Sequence, residues 1–353
     1  MGLNKLRLEI DKVDKQIVSL LNQRTGYTLS IGDFKRRANK SIYAPDRETD
    51  ILRRLKKINK GPLSNEALEA IYREVMSSAL SLEKPLEIAY LGPRATFTHL
   101  AALKKFGSQV KYVPCDSISD VFVEVQKGTC DYGVVPVENS IEGAVTHTLD
   151  MLMDCPLSIC SEITLEIAHN LLSRYKKAVI KRIYTNPYVF AQCRAWIERN
   201  LPKAEKIEVS STTRAAELAR VNKSSACIAS LLAAKEYGLN IVARDIEDSP
   251  HNKTRFLVIG SSDVKPTGKD KTSIMFSIKD RVGALHDMLM PFKKHKINLT
   301  KIESRPSKKK VWDYYFFVDL AGHREVPKVK KALKELEVNC TFLKILGSYP
   351  VSD

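Results

Sequence analysis

An all-helical segment, an α/β body and an α+β tail in βαββαβ order are the architecture predicted for this chain of 353 residues. Three observations carry the prediction. Apolar residues recur in steps of three and four through the first 84 positions. After Leu86, short strand-like runs alternate with helical stretches. Beyond a polar linker at 261–268 the order becomes strand, helix, strand, strand, helix, strand. At about 100–200 residues per domain, two or three domains are expected. The pattern places them at 1–84, 85–264 and 265–353.

The first segment opens on Leu3, Leu6, Ile10, Val13, Ile17 and Leu20, a seam that continues through Arg24, Tyr27, Ile31 and Phe34. One helix of this length must lie along partner helices. Pro45 opens a second helix through Ile51, Leu52, Leu55 and Ile58, and Gly61-Pro62 ends it. Leu68, Ile71, Val75, Ala79 and Leu82 mark a third, ending near Pro85. Three helices with one very long member bury little by themselves, so a dimer is expected.

In the middle segment, the runs 86–91, 132–137, 180–184, 226–230 and 255–259 alternate with helical stretches and predict βαβ units with parallel sheets. The tail predicts strands at 272–278, 298–303, 312–320 and 340–346, with helices at 284–295 and 326–336. That order is the ferredoxin-like plan.

Composition bounds the function. At 44% apolar and 28% charged, the chain has ordinary globular character. Every apolar stretch is broken before the roughly 18–20 residues of a membrane helix, and Met1–Arg7 lacks an apolar signal core. No membrane role is expected. Seven scattered cysteines read as free thiols in a reducing, cytoplasmic setting. Cys155 and Cys160 lack a second pair, so no metal is expected. No two glycines are spaced G-x-G, which argues against a dinucleotide cofactor; none is expected. The net charge of +16 splits into +6, +1 and +9 over the three segments. Runs such as Lys35-Arg36-Arg37 and Lys308-Lys309-Lys310 lack interleaved aromatics, so small anions rather than nucleic acid are the expected partners.

Arg24 is a cation at a seam position where the previous six positions are aliphatic. Lys35, eleven residues on, lies within about 20° of the same helix face and roughly 16 Å along the axis, so both can reach an anion between them. Arg7 lies roughly 25 Å from Arg24 and could serve that anion only from an antiparallel partner chain. Arg47 and Glu48 add a cation and a carboxylate at the start of the second helix.

This set resembles the all-helical chorismate mutases, in which two interlaced chains share each active site, from about Leu3 to Glu83. The resemblance carries over Arg7 from the neighbouring chain, Arg24, Lys35, Arg47 and Glu48, with Glu83 where the family has Glu or Gln. The Claisen rearrangement of chorismate needs no base or nucleophile; it needs the dicarboxylate held diaxial and charge on the ether oxygen stabilised. The resemblance implies arginines on the carboxylates, Lys35 and protonated Glu83 at the ether oxygen, and Glu48 on the ring hydroxyl. Ala44 departs from the Asp of many relatives.

In the middle segment, three runs stand at strand ends, where open α/β sheets bind ligands: 92–98 (containing Thr96), 136–143 and 248–256. Thr254-Arg255-Phe256, Asn139-Ser140, Ser211-Thr212, His169 before Asn170-Leu171-Leu172, and Gln192-Cys193 after Pro187 resemble prephenate dehydratase over about 86–262. The resemblance implies two α/β subdomains with prephenate in the cleft between them. Loss of hydroxide and carbon dioxide from prephenate aromatises the ring. Thr254 is the implied hydrogen-bond donor to the leaving hydroxyl, polarising it or relaying a proton. Arg255 is the implied carboxylate partner, Asn139, Ser140, Thr185 and Gln192 orient substrate, and Thr96, Ser211 and Phe256 complete the binding set. His169 reads as a structural histidine. Ala95, Thr185 and Tyr188 stand where the family usually has Gly, Ser and Gln.

In the tail, Gly283-Ala284-Leu285-His286 and Glu303-Ser304-Arg305-Pro306, with Trp312 and the following strand, resemble the phenylalanine-binding ACT domain. A helix N-terminus behind Gly283 suits a carboxylate. Such domains bind effector between paired copies, which again implies a homo-oligomer, either a homodimer or a dimer-based oligomer. The expected whole is a bifunctional chorismate mutase–prephenate dehydratase with phenylalanine feedback. An amino-acid-sensing or solute-binding protein and an arogenate dehydratase on the same scaffold are the alternatives.

Overall fold

The computed structural model describes residues 2–38, 43–278, 281–306 and 314–352. Trp312 and Lys308–Lys310 therefore lie outside the described residues. The chain divides into two compact units, 1–87 with 105–111, and 88–104 with 112–353.

In the first unit, α1 (Leu3–Arg37), α2 (Pro45–Ile58) and α3 (Asn65–Glu83) follow the apolar periodicity. Proline at the first turn opens α2, and the Ser64 side chain caps α3 by accepting from the Ala67 amide. Gly32 is the buried residue of α1, and its seam from Leu3 to Leu20 is 46–63% exposed at the positions named above.

Among the described residues, the second unit contains three sheets. The first lobe comprises β1 (Glu87–Leu91), α4 (Phe97–Phe106), β2 (Lys111–Cys115), α5 (Ile118–Gln126), β3 (Tyr132–Asn139), β4 (Gly143–Ala144), α6 (Thr146–Asp154) and β5 (Ser158–Glu166). The second comprises β6 (Asn170–Ser173), β7 (Arg182–Thr185), α7 (Pro187–Gln192), α8 (Arg194–Asn200), β8 (Glu205–Glu208), α9 (Thr212–Val221), β9 (Ser225–Ala229), α10 (Leu231–Tyr237) and β10 (Asn240–Ala243). The chain then returns to the first lobe as β11 (Lys253–Gly260). Strand orders are β2-β1-β3-β11-β5 and β10-β6-β9-β7-β8.

The sheets are mixed, which corrects the expectation of parallel ones. β1 and β3 are parallel, as are β7, β8 and β9, but β11 runs antiparallel to both β3 and β5. A strand that re-enters a sheet after a whole lobe has been built elsewhere is not bound by the right-handed βαβ crossover.

The tail has β12 (Asp270–Ser277), α11 (Ala284–Lys294), β13 (Leu299–Pro306), β14 (Tyr314–Ala321), α12 (Pro327–Asn339) and β15 (Phe342–Pro350), in sheet order β13-β14-β12-β15. One face covers α11 and α12 through Ile274, Phe276, Met288, Phe292, Leu333 and Leu336. The other shares a core with the first lobe: Met275, Phe317, Leu346 and Tyr349 pack with Leu157, Ile159 and Leu257. At Gly347 a Cβ would sit 2.2 Å from the Ile159 carbonyl oxygen, so only glycine lets β15 approach β5 this closely.

Candidate active sites

A cavity of about 270 Å³ in the first unit is lined by Arg24, Lys35, Arg47, Glu48 and Glu83, together with Tyr27, Thr28, Tyr43 and apolar residues of α2 and α3. The structure thus gathers five of the six residues named for this segment. Arg7 is exposed, far along α1 and outside the cavity lining.

The cavity holds polar atoms that its own folding leaves unmatched. Arg24 Nη1 and Glu83 Oε2 are buried without a hydrogen-bond partner among the described residues. Burial raises the Glu83 pKa, against the lowering pull of Lys35 and Arg36, and so favours the protonated acid that can donate. Gly32 makes the space, since a Cβ there would lie 2.8 Å from Glu83 Cγ. Glu48 is held by Tyr43 Oη, which donates at 3.0 Å, and by Lys105 Nζ at 2.8 Å. Arg47 pairs with Asp50 at 3.1 Å and remains half exposed. Sequence reasoning missed Tyr43 and Lys105, which carry no periodic signal and reach Glu48 only through the fold.

In the second unit, β3 and β11 pair so that Asn139 faces Thr254 and Glu138 faces Arg255. The Asn139 side-chain oxygen accepts from the amides of Ile141 and Glu142, which orients its Nδ2 toward Thr254 Oγ1 at 2.8 Å and Asn252 Oδ1 at 2.7 Å. Thr254 therefore uses a lone pair on Asn139 and keeps its proton for another acceptor. Asn252 Nδ2 donates to Gln192 Oε1 at 3.2 Å, and Gln192 Nε2 donates to Glu142 Oε1 at 2.9 Å. This chain of amides crosses from the first lobe to α7 of the second. His169 Nε2 meets the same Gln192 oxygen at 2.7 Å, which assigns the proton to Nε2 and leaves Nδ1 as a buried acceptor without a partner among the described residues. Burial lowers the His169 pKa against Gln192 and Glu247, so the ring is favoured as neutral. Asn252 and Glu142 lay inside runs that the sequence had marked, though neither was given a role.

Other expected residues make bonds or contacts within the scaffold. Thr185 is fully buried and its hydroxyl donates to the Ile228 carbonyl, because β7 is an internal strand. Ser211 caps α9 by accepting from the Arg214 amide. Thr96 donates to the Leu91 carbonyl and accepts from the His99 amide. Ser140 donates to the His251 carbonyl and accepts from the Lys253 amide, tying the two strand ends together. Phe256 is core. Ala95 has φ +65°, a conformation suited to the glycine it replaces.

Arg255 lies apart from the Thr254 cluster. Its guanidinium lies 2.6 Å from Asp319 of β14 and 3.6 Å from Glu138 and Glu162, on the strand face away from the hydrogen bond between Thr254 and Asn139. Consecutive strand residues point to opposite faces, which puts Thr254 and Arg255 on opposite faces of β11.

In the tail, Gly283 precedes α11 with φ +77°, and Ala284 is buried while Leu285 and His286 are exposed. Glu303 and Arg305 share the partly buried face of β13, and Ser304 and Pro306 its exposed face. Arg305 pairs with Asp150 of α6 at 3.0 Å, so this residue of the expected effector set is engaged by the first lobe. No helix among the described residues is long and apolar enough to cross a membrane.

Two polar sites on separate folding units, followed by a βαββαβ domain, define a multidomain protein with two candidate active sites. The chain matches the chorismate mutase type II family over residues 6–84, the prephenate dehydratase family over 88–264 and the ACT domain over 272–338. It is 52% identical over 99% of its length to a bifunctional chorismate mutase/prephenate dehydratase of Aquifex aeolicus, covering 98% of that protein. It is 45% identical to the protein of the same description in Stutzerimonas stutzeri, covering 99% of this chain and 97% of that one. A prephenate dehydratase from Arthrobacter aurescens, solved with L-Phe, superposes with a TM-score of 0.71 at 34% identity, over 75% of this chain and 90% of that one. The chain belongs to the bifunctional chorismate mutase/prephenate dehydratase family.

Proposed function

We propose that the chain rearranges chorismate to prephenate in the helical cavity and converts prephenate to phenylpyruvate at the Thr254 cluster, under phenylalanine feedback. The meeting of Arg24, Lys35 and Glu83 around one cavity supports this reading most strongly. The substrate is a dianion that rearranges without an external catalyst group, so the site has only to hold its shape and stabilise the charge that develops. Arg24 and Arg47 supply the carboxylate partners, with Arg7 arriving from a second copy. Lys35 and protonated Glu83 donate to the ether oxygen as its bond lengthens. Glu48, oriented by Tyr43 and Lys105, accepts from the ring hydroxyl.

At the second site, Thr254 donates to the hydroxyl that leaves from the prephenate ring. The hydroxyl leaves as water, with one proton taken up from solvent, as the carbon–carboxylate bond electrons move into the ring and carbon dioxide is lost. A threonine hydroxyl is too weak an acid to supply that proton unaided, so Thr254 polarises the leaving oxygen or relays a proton to it. Asn139, Asn252 and Gln192 hold it in place.

A second copy of the chain covers the exposed apolar seam of α1 and completes the mutase site. Phenylalanine binds at the α11 N-terminus and β13 of paired tail domains. Incubating the protein with chorismate and following phenylpyruvate tests both reactions; failure to form prephenate or phenylpyruvate would refute the corresponding site. Calorimetry with phenylalanine on wild type and Gly283→Val tests the effector site: binding should be lost in the variant, and unchanged binding would place the effector elsewhere.

A further inference from the structure

We infer that Arg255 is a positioning residue, not a substrate ligand, and that its ion pair with Asp319 is the junction through which the C-terminal domain acts on Thr254. The inference rests on the proposed dehydratase site and effector domain.

The geometry is that of two strands with a division of labour between their faces. Thr254 and Asn139 form a cross-strand pair and hydrogen-bond to one another; their immediate neighbours Arg255 and Glu138 form the next pair. Arg255 reaches Asp319 of β14 at 2.6 Å, and Glu138 is reached by Lys301 of β13 at 3.0 Å. Glu162 of β5 completes the layer, pairing with Lys271 of β12 at 2.7 Å and lying 3.6 Å from Arg255. Three carboxylates meet three cations, so the layer is electroneutral. Asp319, Glu162, Lys301 and Lys271 all have side chains at most 12% exposed. Asp319 is fixed in turn by Ser273, whose hydroxyl meets Tyr349 Oη at 2.6 Å.

A buried charge that loses its partner is costly, so this layer resists partial separation: the tail sheet and β11 move together or the pairs break as a set. β13 carries Lys301 and, two and four residues on, Glu303 and Arg305 of the expected effector motif. A displacement of β13 and β14 on effector binding would thus be delivered to the backbone of Glu138 and Arg255, one residue from each partner of the hydrogen bond between Asn139 and Thr254. Two sites that bias one shared element are coupled in both directions.

The test uses the full chain with Arg255→Gln, Asp319→Asn and the double variant, which removes both charges and leaves neither unpaired. Prephenate kcat and KM, phenylalanine binding by calorimetry, and phenylalanine inhibition are measured on each. Each single variant should lower kcat by about tenfold with KM within about twofold, and the double should be no worse than the weaker single, because contacting residues are non-additive. In the double variant phenylalanine should still bind, while its inhibition weakens by at least about fivefold. Lys301→Gln, on the other strand pair, should weaken inhibition likewise and serves if a charge variant at 255 or 319 does not fold. A raised KM in Arg255→Gln with Asp319→Asn like wild type would make Arg255 a substrate ligand and overturn the inference. Wild-type inhibition in the folded double variant, or in Lys301→Gln, would also overturn it. If wild type itself does not bind phenylalanine, the effector reading fails, and the kcat cycle still decides the role of Arg255.

Discussion

Asn139 donates to Thr254 across the β3–β11 pair at 2.8 Å, and the amides of Ile141 and Glu142 prevent it from presenting its oxygen instead. The hydroxyl proton of Thr254 is consequently not taken by Asn139 and remains available to another acceptor.

Asn139→Asp exchanges that donor for an acceptor of nearly the same shape. Thr254 would then turn its proton to the carboxylate. Dehydratase kcat should fall by about 10²-fold, on the scale of losing one preorganised donor, with mutase turnover unchanged. Steady-state kinetics on both substrates checks this; equal loss of the two activities would point to misfolding.

Glu83 must be protonated to donate, and burial raises its pKa. The protonated fraction is full below the raised pKa and is lost as pH rises through it. Mutase kcat should therefore decline with rising pH, and Glu83→Gln should flatten the profile by donating at every pH. A declining profile retained in Glu83→Gln would assign the titration to another group.

Gly32→Ala sets two effects against each other. Alanine favours a helix interior by about 1 kcal/mol, yet the new Cβ would lie 2.8 Å from Glu83 Cγ. The displaced carboxyl should cost mutase turnover even where thermal unfolding shows little loss of stability. Unchanged turnover would mean that Glu83 has a second productive position.

Arg7→Ala and Arg24→Ala, each inactive as mutase, should partly restore activity when mixed under conditions of subunit exchange, since the two residues lie roughly 25 Å apart on one helix. Dehydratase activity on supplied prephenate should persist in both. Proven exchange without restored mutase activity would show that one chain furnishes the whole site.

Thr185→Val separates the expectation from the structure. Its hydroxyl is spent on the Ile228 carbonyl inside the sheet, so the variant should lose about 1 kcal/mol of stability with prephenate KM unchanged. A raised KM at unchanged stability would restore Thr185 to the substrate site.

Much of this was legible in the amino-acid order because it is local. The seam of α1, the Pro45 helix start and the βαββαβ tail each follow from periodicity and first-turn chemistry within a few residues. Arg24 and Lys35 could be assigned to one face because a helix has a fixed pitch. The tertiary structure alone decided which backbone groups the polar side chains already meet. Thr185 and Thr96 donate to carbonyls and Ser211 accepts from an amide, each supplied by its fold position. Arg255 stands beside Thr254 in the chain and is directed to the opposite face, toward Asp319, which lies 64 residues further along. Sequence order sets which residues are available; hydrogen bonds and ion pairs between distant strands determine which of them are already satisfied, and no local pattern encodes that pairing.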